Sequence, residues 1–403
     1  MIDTPEKRAV FSGIGISRIG RRTGIAALDL TLEAANAAIT DAGLRAADID
    51  GIATLGDTPL AEAAAALGIQ PVYTGGGFDT GGLLSPVMSA CLAVAAGRAR
   101  HVLVYRTVQM IGGSIAPSAP AAPPAEPTAA PPAPAPPAAP AEGGHPLQNV
   151  MGDMGPLLAY HAYSAANWLA MYCRRHMYLY GTTKEQLGWL AINSRRNAAR
   201  NPLAVFRDPM TMDDYLGARP ISTPFGLLDC DVPVDGSIAF VVSHVDTAGD
   251  AASAPVRVEA IGGAPGAGGW VQRPDYPKMA SVEAAAEMWS RTDLRPTDVD
   301  IAELYDGFTF LTFAWLEALG LCGDGEAGPF VEGGTRIALD GELPLNTYGG
   351  QLSAGRMHGY WVLHEALVQL RGEAGARQVA RRPEVAVVAN GGGPIAGCLL
   401  VTR

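Results

Sequence analysis

Short words of this sequence come back in the same order at a fixed offset of 250 residues. Glu33-Ala34-Ala35 returns as Glu283-Ala284-Ala285, Leu44-Arg45 as Leu294-Arg295, and Asp48-Ile49-Asp50 as Asp298-Val299-Asp300. Further on, Gly81-Gly82-Leu83-Leu84-Ser85 is echoed by Gly349-Gly350-Gln351-Leu352-Ser353. A single match is noise. Several in register, each between a helical and a strand pattern, predict a duplicated α/β unit.

The hydrophobic periodicity agrees. In the first half it predicts strands at Val10–Ile16, Ile49–Ala53, His101–Tyr105 and Ser237–Ser243. Helices fall at Ala27–Ala42, Leu83–Ala96, Ala159–Tyr180, Lys184–Asn201 and Met212–Leu216. The second half repeats the theme, with strands at Val256–Gly262, Ile301–Leu304, Val385–Ala389 and Gly397–Thr402 and helices at Ser281–Ser290, Phe308–Leu319 and Tyr360–Arg371. The expected division is 1–250 and 251–403, the first half carrying a helical loop region at 150–225. Residues 115–142 are almost wholly Ala and Pro. Such a stretch buries little and lacks donors at its prolines, so a disordered, extended, solvated insert is expected. A proline-rich docking motif is the other reading, but no basic anchor flanks it.

Hydrophobic residues at 48% and charged residues at 17% suffice for a large core. The net charge of −11 argues against nucleic acid and would repel an anionic cofactor unless arginines cluster locally. The five cysteines, Cys91, Cys173, Cys230, Cys322 and Cys398, are far apart and form no CxxC pair. That pattern fits reduced thiols in a cytoplasm, not a disulfide framework or a zinc site. No apolar run reaches the roughly 18–20 residues of a membrane helix, and MIDTPEKRAV lacks a signal peptide's apolar core. A cytoplasmic protein is expected.

Several longer words, in order, carry a resemblance. They are GIGISRIGR, DAGLRAADIDGI, HMYLYGTTKEQLGWLAINSRRNAARNPLAVF, LLDCDVPVDGSIAFVV, ELYDGF and NTYGGQLSAGRMHGYWVLHEALVQLRG. The chain resembles the thiolase superfamily, in its thiolase-like lipid-transfer-protein group, relatives of sterol-carrier-protein thiolases and steroid side-chain aldolases. The resemblance spans nearly everything outside the insert. It implies a thiolase fold: α/β, two duplicated βαβαβ halves with stacked mixed sheets around buried helices (five layers, α-β-α-β-α), plus a helical loop domain. It also implies a homodimer and a small OB-fold and zinc-ribbon partner.

A thiolase of the usual kind uses a cysteine at a helix N-terminus, a histidine in a Gly-His-Pro loop and a second cysteine before a glycine run. Counting back from Gly97 places the first at about Thr80; Cys91 comes three turns too late. The histidine loop reads Gly355-Arg356-Met357-His358-Gly359, and the glycine run, Ala389-Asn390-Gly391-Gly392-Gly393, has no cysteine before it. Cysteine-dependent thiolysis is therefore not expected.

What survives is a frame for holding an oxyanion. Gly81, Gly82, Gly349 and Gly350 precede helical segments and Gly392 sits in the glycine run, where backbone N–H groups can meet a thioester enolate. Tight turns are the plainer reading of the same glycines. Tyr305, where the resemblance implies a catalytic tyrosine, can relay a proton; Asp306 beside it can assist or cap the next helix. His358 can act as acid or base, and Arg356, where the aldolases carry a second tyrosine, can polarise a thioester oxygen. Tyr348 offers a second hydroxyl. Arg195, Arg196 and Arg200 share a helix and could meet CoA phosphates, or simply form a solvated face. His176 and His364 lie in helices and read as structural.

Three functions compete. One is retro-aldol cleavage of a 3-hydroxyacyl-CoA, a sterol-like chain being one option for its acyl group, needing no bound cofactor beyond the CoA thioester as substrate, with Tyr305 or His358 taking the hydroxyl proton. The second is an acetyl-CoA acetyltransferase using Cys91 or Cys322. The third is a non-catalytic acyl-CoA or lipid-binding subunit acting through a partner.

Overall fold

A computed structural model describes residues 2–55, 58–77, 81–110, 154–250, 253–265 and 269–403; Thr80 and the 115–142 insert lie outside them. The strands are β1 (Ala9–Ile16), β2 (Gly51–Thr54), β3 (Tyr73–Gly76), β4 (His101–Gln109), β5 (Pro220–Ser222), β6 (Phe225–Gly226), β7 (Asp235–His244), β8 (Val256–Pro265), β9 (Ile301–Leu304), β10 (Val385–Gly392) and β11 (Ile395–Thr402). The helices are α1 (Ala27–Asp41), α2 (Leu60–Leu67), α3 (Ser85–Ala95), α4 (Gly155–Ala159), α5 (Ala165–Tyr180), α6 (Lys184–Ala198), α7 (Met212–Leu216), α8 (Ser281–Ser290), α9 (Thr309–Ala318), α10 (Ala327–Val331) and α11 (Tyr360–Arg371). None of the described helices is long and apolar enough to cross a membrane.

The duplication is legible in the strand order, β3-β2-β4-β7-β1-β8-β11-β10-β9. In the first half β2–β4 is parallel, then β4–β7 and β7–β1 are antiparallel. In the second, β9–β10 is parallel, then β10–β11 and β11–β8 are antiparallel. The half-sheets join through β1 and β8 at Val10–Arg257 and Phe11–Val256. β3 extends the first half only.

Three hydrophobic clusters separate into layers. α1 and α2 cover the outer face of the first half-sheet, with Leu103, Tyr105 and Val241 beneath them. α8 and α9 cover the outer face of the second, on Val387 and Leu400. Between the half-sheets lie α3 and α11, packed on Val104, Val242, Val388 and Leu399. All twelve residues of α11 are buried, as a helix sandwiched on both sides requires.

Both outer helices approach their strands by the same device. A Cβ at Gly15 would lie 2.1 Å from the Ala34 carbonyl oxygen, and one at Gly262 would lie 2.0 Å from that of Ala284. The turns after α1 and α8 repeat too: Arg45 N–H donates to Asp48 Oδ2 at 2.9 Å, and Arg295 N–H to Asp298 Oδ2 at 2.8 Å. One expected helix is divided. Residues 160–164 interrupt Ala159–Tyr180, where His161 takes φ +58° and Ser164 opens α5 with its N–H donating to Asn167 Oδ1 at 3.2 Å.

Candidate active site

Three loops meet where the two halves face the helical region. Tyr305-Asp306-Gly307 leaves the end of β9, with the Tyr305 N–H held by the Ala389 carbonyl at 2.9 Å. The segment Cys230 to Pro233 runs into β7, and residues 355–359 lead into α11. Hydrogen bonds lock them side by side: Asp231 N–H to Gly307 O at 3.1 Å, Val232 N–H to Gln351 O at 2.9 Å and Arg356 N–H to Val232 O at 2.8 Å. Over them opens a cavity of about 290 Å³. Its polar end is Asp231, Tyr305, Arg356 and His358; Leu169 of α5, Trp270, Phe308, Leu311 and Ile395 make the rest apolar. Trp270 is braced by the Trp168 ring at 4.9 Å and by Tyr172, whose hydroxyl donates to its carbonyl.

The charges are confined. Arg356 Nη1 lies 3.3 and 3.4 Å from the two Asp231 oxygens, and its Nε reaches Met110 Sδ at 3.1 Å. Burial lifts the Asp231 carboxyl to about 7 against the opposing pull of Arg356. Burial, then Asp231, pushes the Tyr305 hydroxyl above its ordinary value, so it holds its proton at neutral pH. Its ring folds over Gly307, where a Cβ would fall 2.7 Å from a ring carbon.

His358 sits at φ +49°, an unfavourable backbone state for a residue other than glycine, costing on the order of 1–3 kcal/mol. Asn390 Nδ2 donates to its carbonyl at 2.9 Å, and Arg106 Nη2 lies 2.7 Å from Nδ1. A guanidinium only donates, so Nδ1 is the acceptor and the neutral ring carries its proton on Nε2. Burial, then Arg106, then Arg356 pushes this imidazole down to about 3. The ring is thus a hydrogen-bond donor and a poor base.

The cavity brings together five of the residues singled out from the sequence, Tyr305, Arg356, His358, Gly82 and Gly392. Gly81 lies just behind, where a Cβ would meet Met88 Sδ at 2.1 Å. The others are elsewhere. Asp306 is buried beneath the loop and accepts from Gln351 N–H at 2.8 Å; it caps the π-helical turn Gly350–Ala354, not α9. Burial raises its carboxyl to about 6, while the N–H groups of Gln351 and Leu352 oppose the rise. Gly349 and Gly350, at φ +108° and +62°, press against Ala198 and Asp306 and do not line the cavity; the N–H groups of Gln351 and Leu352 that follow them donate to Asp306. Tyr348 is buried and stacked on Trp361 at 5.2 Å. Arg195, Arg196 and Arg200 line a separate pocket of about 560 Å³ sharing no residue with the cavity; Arg195 Nε donates to Ser353 Oγ at 2.9 Å. Cys91 is buried in α3 with its thiol pushed up to about 12, and neither it nor Cys322 lines the cavity.

Asp231, Trp270 and Arg106 escaped the sequence reading. Asp231 stood inside LLDCDVPVDGSIAFVV, read there only as the approach to a strand; two acids spaced by one residue before an apolar run were the available signal.

Residues 264–400 match the family described as Thiolase C-terminal domain-like. The chain is 33% identical over 405 residues to the 17-hydroxy-3-oxo-4-pregnene-20-carboxyl-CoA lyase of Mycobacterium tuberculosis, covering 98% of this chain and 99% of that one. It is 32% identical to the steroid side-chain-cleaving aldolase of Thermomonospora curvata, with 97% of each chain covered. Among solved structures, the "Ltp2-ChsH2(DUF35) aldolase" superposes with a TM-score of 0.84 at 29% identity, covering 98% of both chains.

Proposed function

The chain belongs to the thiolase-like lipid-transfer group, with its steroid side-chain-cleaving aldolases, and on that footing we propose that it cleaves a 3-hydroxyacyl-CoA by a retro-aldol reaction. The observation that carries the reading is the make-up of the cavity. One end holds an aspartate, a tyrosine, a neutral histidine and an arginine, the rest is apolar, and no cysteine is among its described lining residues. A thioester enolate leaving group calls for donors at its oxygen and an acid at its carbon. His358 Nε2–H and the Arg356 guanidinium suit the oxygen. Tyr305, protonated at neutral pH, suits the carbon: it delivers a proton to Cα as the Cα–Cβ bond breaks and the 3-hydroxyl carbon becomes a ketone or aldehyde. This reassigns both groups from taking the hydroxyl proton, because His358 has its Nδ1 occupied and Tyr305 holds its own proton.

The apolar walls support an acyl chain of steroid type. The name of the structural neighbour pairs it with a DUF35 protein, which supports a small OB-fold and zinc-ribbon partner here; a homodimer core belongs to the same reading. So does a division into halves at 250/251. The five free cysteines support a cytoplasmic location.

The test is to incubate the purified chain, with and without a zinc-ribbon partner encoded beside it, with 17-hydroxy-3-oxo-4-pregnene-20-carboxyl-CoA and simpler 3-hydroxyacyl-CoAs. Mass spectrometry follows the ketone and the shortened acyl-CoA. Cleavage without added free CoA, lost in Tyr305→Phe, is the expected result. Cleavage that requires free CoA and stops on thiol alkylation would restore the acetyltransferase. Binding without turnover would leave the non-catalytic subunit.

A further inference from the structure

The retro-aldol reading leaves one proton without a destination, that of the 3-hydroxyl. A group must take it as the carbonyl forms, and neither Tyr305 nor His358 has room for it.

Asp231 is placed for that work. It lines the cavity with Tyr305, Arg356 and His358, its side chain only 9% exposed. Arg356, at 3.3 and 3.4 Å, is its one side-chain hydrogen-bond partner among the described residues, so lone pairs of a carboxylate able to accept about four hydrogen bonds remain open. Asp229, two residues earlier and wholly buried, is the contrast. It is filled by Thr309 Oγ1 at 2.8 Å, Gly226 N–H at 2.7 Å, the Tyr215 hydroxyl and Lys184. One acid is structural and saturated. The other is unsaturated and faces the cavity.

We propose that Asp231 is the catalytic base, taking the proton from the substrate's 3-hydroxyl while Tyr305 protonates Cα. The proposal rests on the retro-aldol reading. The O–H bond breaks to Asp231 and the oxygen's electron pair becomes the new C=O. The Cα–Cβ pair stays on Cα as the enolate, which takes the Tyr305 proton. Asp231 then returns its proton to the phenolate, so the cycle closes with no oxidant, reductant or added base. The groups facing Asp231 are Arg356, which favours its charge, Asp306 and Cys230, which oppose it if ionised, and the neutral Tyr305 and His358. Burial sets its proton affinity near 7, where a base and its conjugate acid both operate.

The test uses the full chain with its partner and 17-hydroxy-3-oxo-4-pregnene-20-carboxyl-CoA, comparing wild type, Asp231→Asn and Asp231→Glu. Asp231→Asn is expected to lower kcat at least about 100-fold, with the affinity for the 17-deoxy analogue within about threefold, and to erase the acidic limb of the kcat/KM profile near pH 7. Asp231→Glu is expected to keep a limb at a displaced pH. Asp231→Asn retaining kcat within about threefold, with its limb in place, would overturn the proposal while leaving the aldolase standing. If Asp231→Asn does not fold, an Asp231→Glu profile superposable on wild type in rate and limb overturns it equally. No cleavage by wild type would remove the retro-aldol reading itself.

Discussion

His358 is held in place by two costs that its neighbours offset: a left-handed backbone and an imidazole kept neutral beside two guanidinium groups, those of Arg106 and Arg356. The consequence is a pH signature. Unfolded, the ring titrates near 6.5; folded, it stays neutral down to about 3. Between those values the unfolded chain binds the extra proton, so stability falls as pH drops through this window. His364, pushed down to about 4 by burial, contributes in the same sense. Melting temperature measured from pH 8 to pH 4 should therefore decline below about 6.5, and His358→Gln should decline less, by about 1–2 kcal/mol at pH 5. Parallel curves for the two proteins would refute the bound tautomer. His358 stood out in the sequence because Gly355 and Gly359 bracket its loop, while Tyr305 and Arg356 were singled out through the family resemblance. Asp231 was not, since a carboxylate's proton affinity comes from burial and from Arg356, 125 positions away.

At the scale of elements, local chemistry and repetition made most of the fold readable. Ser281–Ser290, Ile301–Leu304, Met212–Leu216 and Tyr360–Arg371 fall where the periodicity put them. α2 and β3 were missed, being a short alanine-rich helix and a strand with two glycines, neither with a period to detect. The glycine pair at 349–350 was legible as a special backbone but not in its purpose. Gly350 takes φ +62°, and a Cβ there would lie 2.0 Å from Asp306 Oδ2. Gly68 takes φ +71° with nothing within 4 Å. Alanine at Gly68 should cost only the backbone penalty, about 1 kcal/mol. Alanine at Gly350 should add overpacking and the loss of the Asp306 cap, for about 3 kcal/mol or more. Denaturant titrations of the two variants decide it; equal losses would mean that the cap contributes nothing to the loop that carries Arg356 and His358.

For the whole molecule, the sheet has two ends with different fates. The second half stops at β9, while the first continues to β3, whose outer edge has no strand partner among the described residues. An unpaired edge is a template for another strand, and the residue leading into it, Val72, is 77% exposed. An apolar side chain of that exposure beside an open edge is what a symmetric pairing of two copies would cover. The chain should then run at twice its 41.8 kDa by light scattering at micromolar concentration. Thr74→Pro, which removes an N–H and stiffens the edge, should shift it towards the monomer without unfolding it, as the edge strand carries little of the core. A wild-type monomer at those concentrations would dispose of the homodimer. A dimer indifferent to Thr74→Pro would keep the homodimer and move its interface to another face.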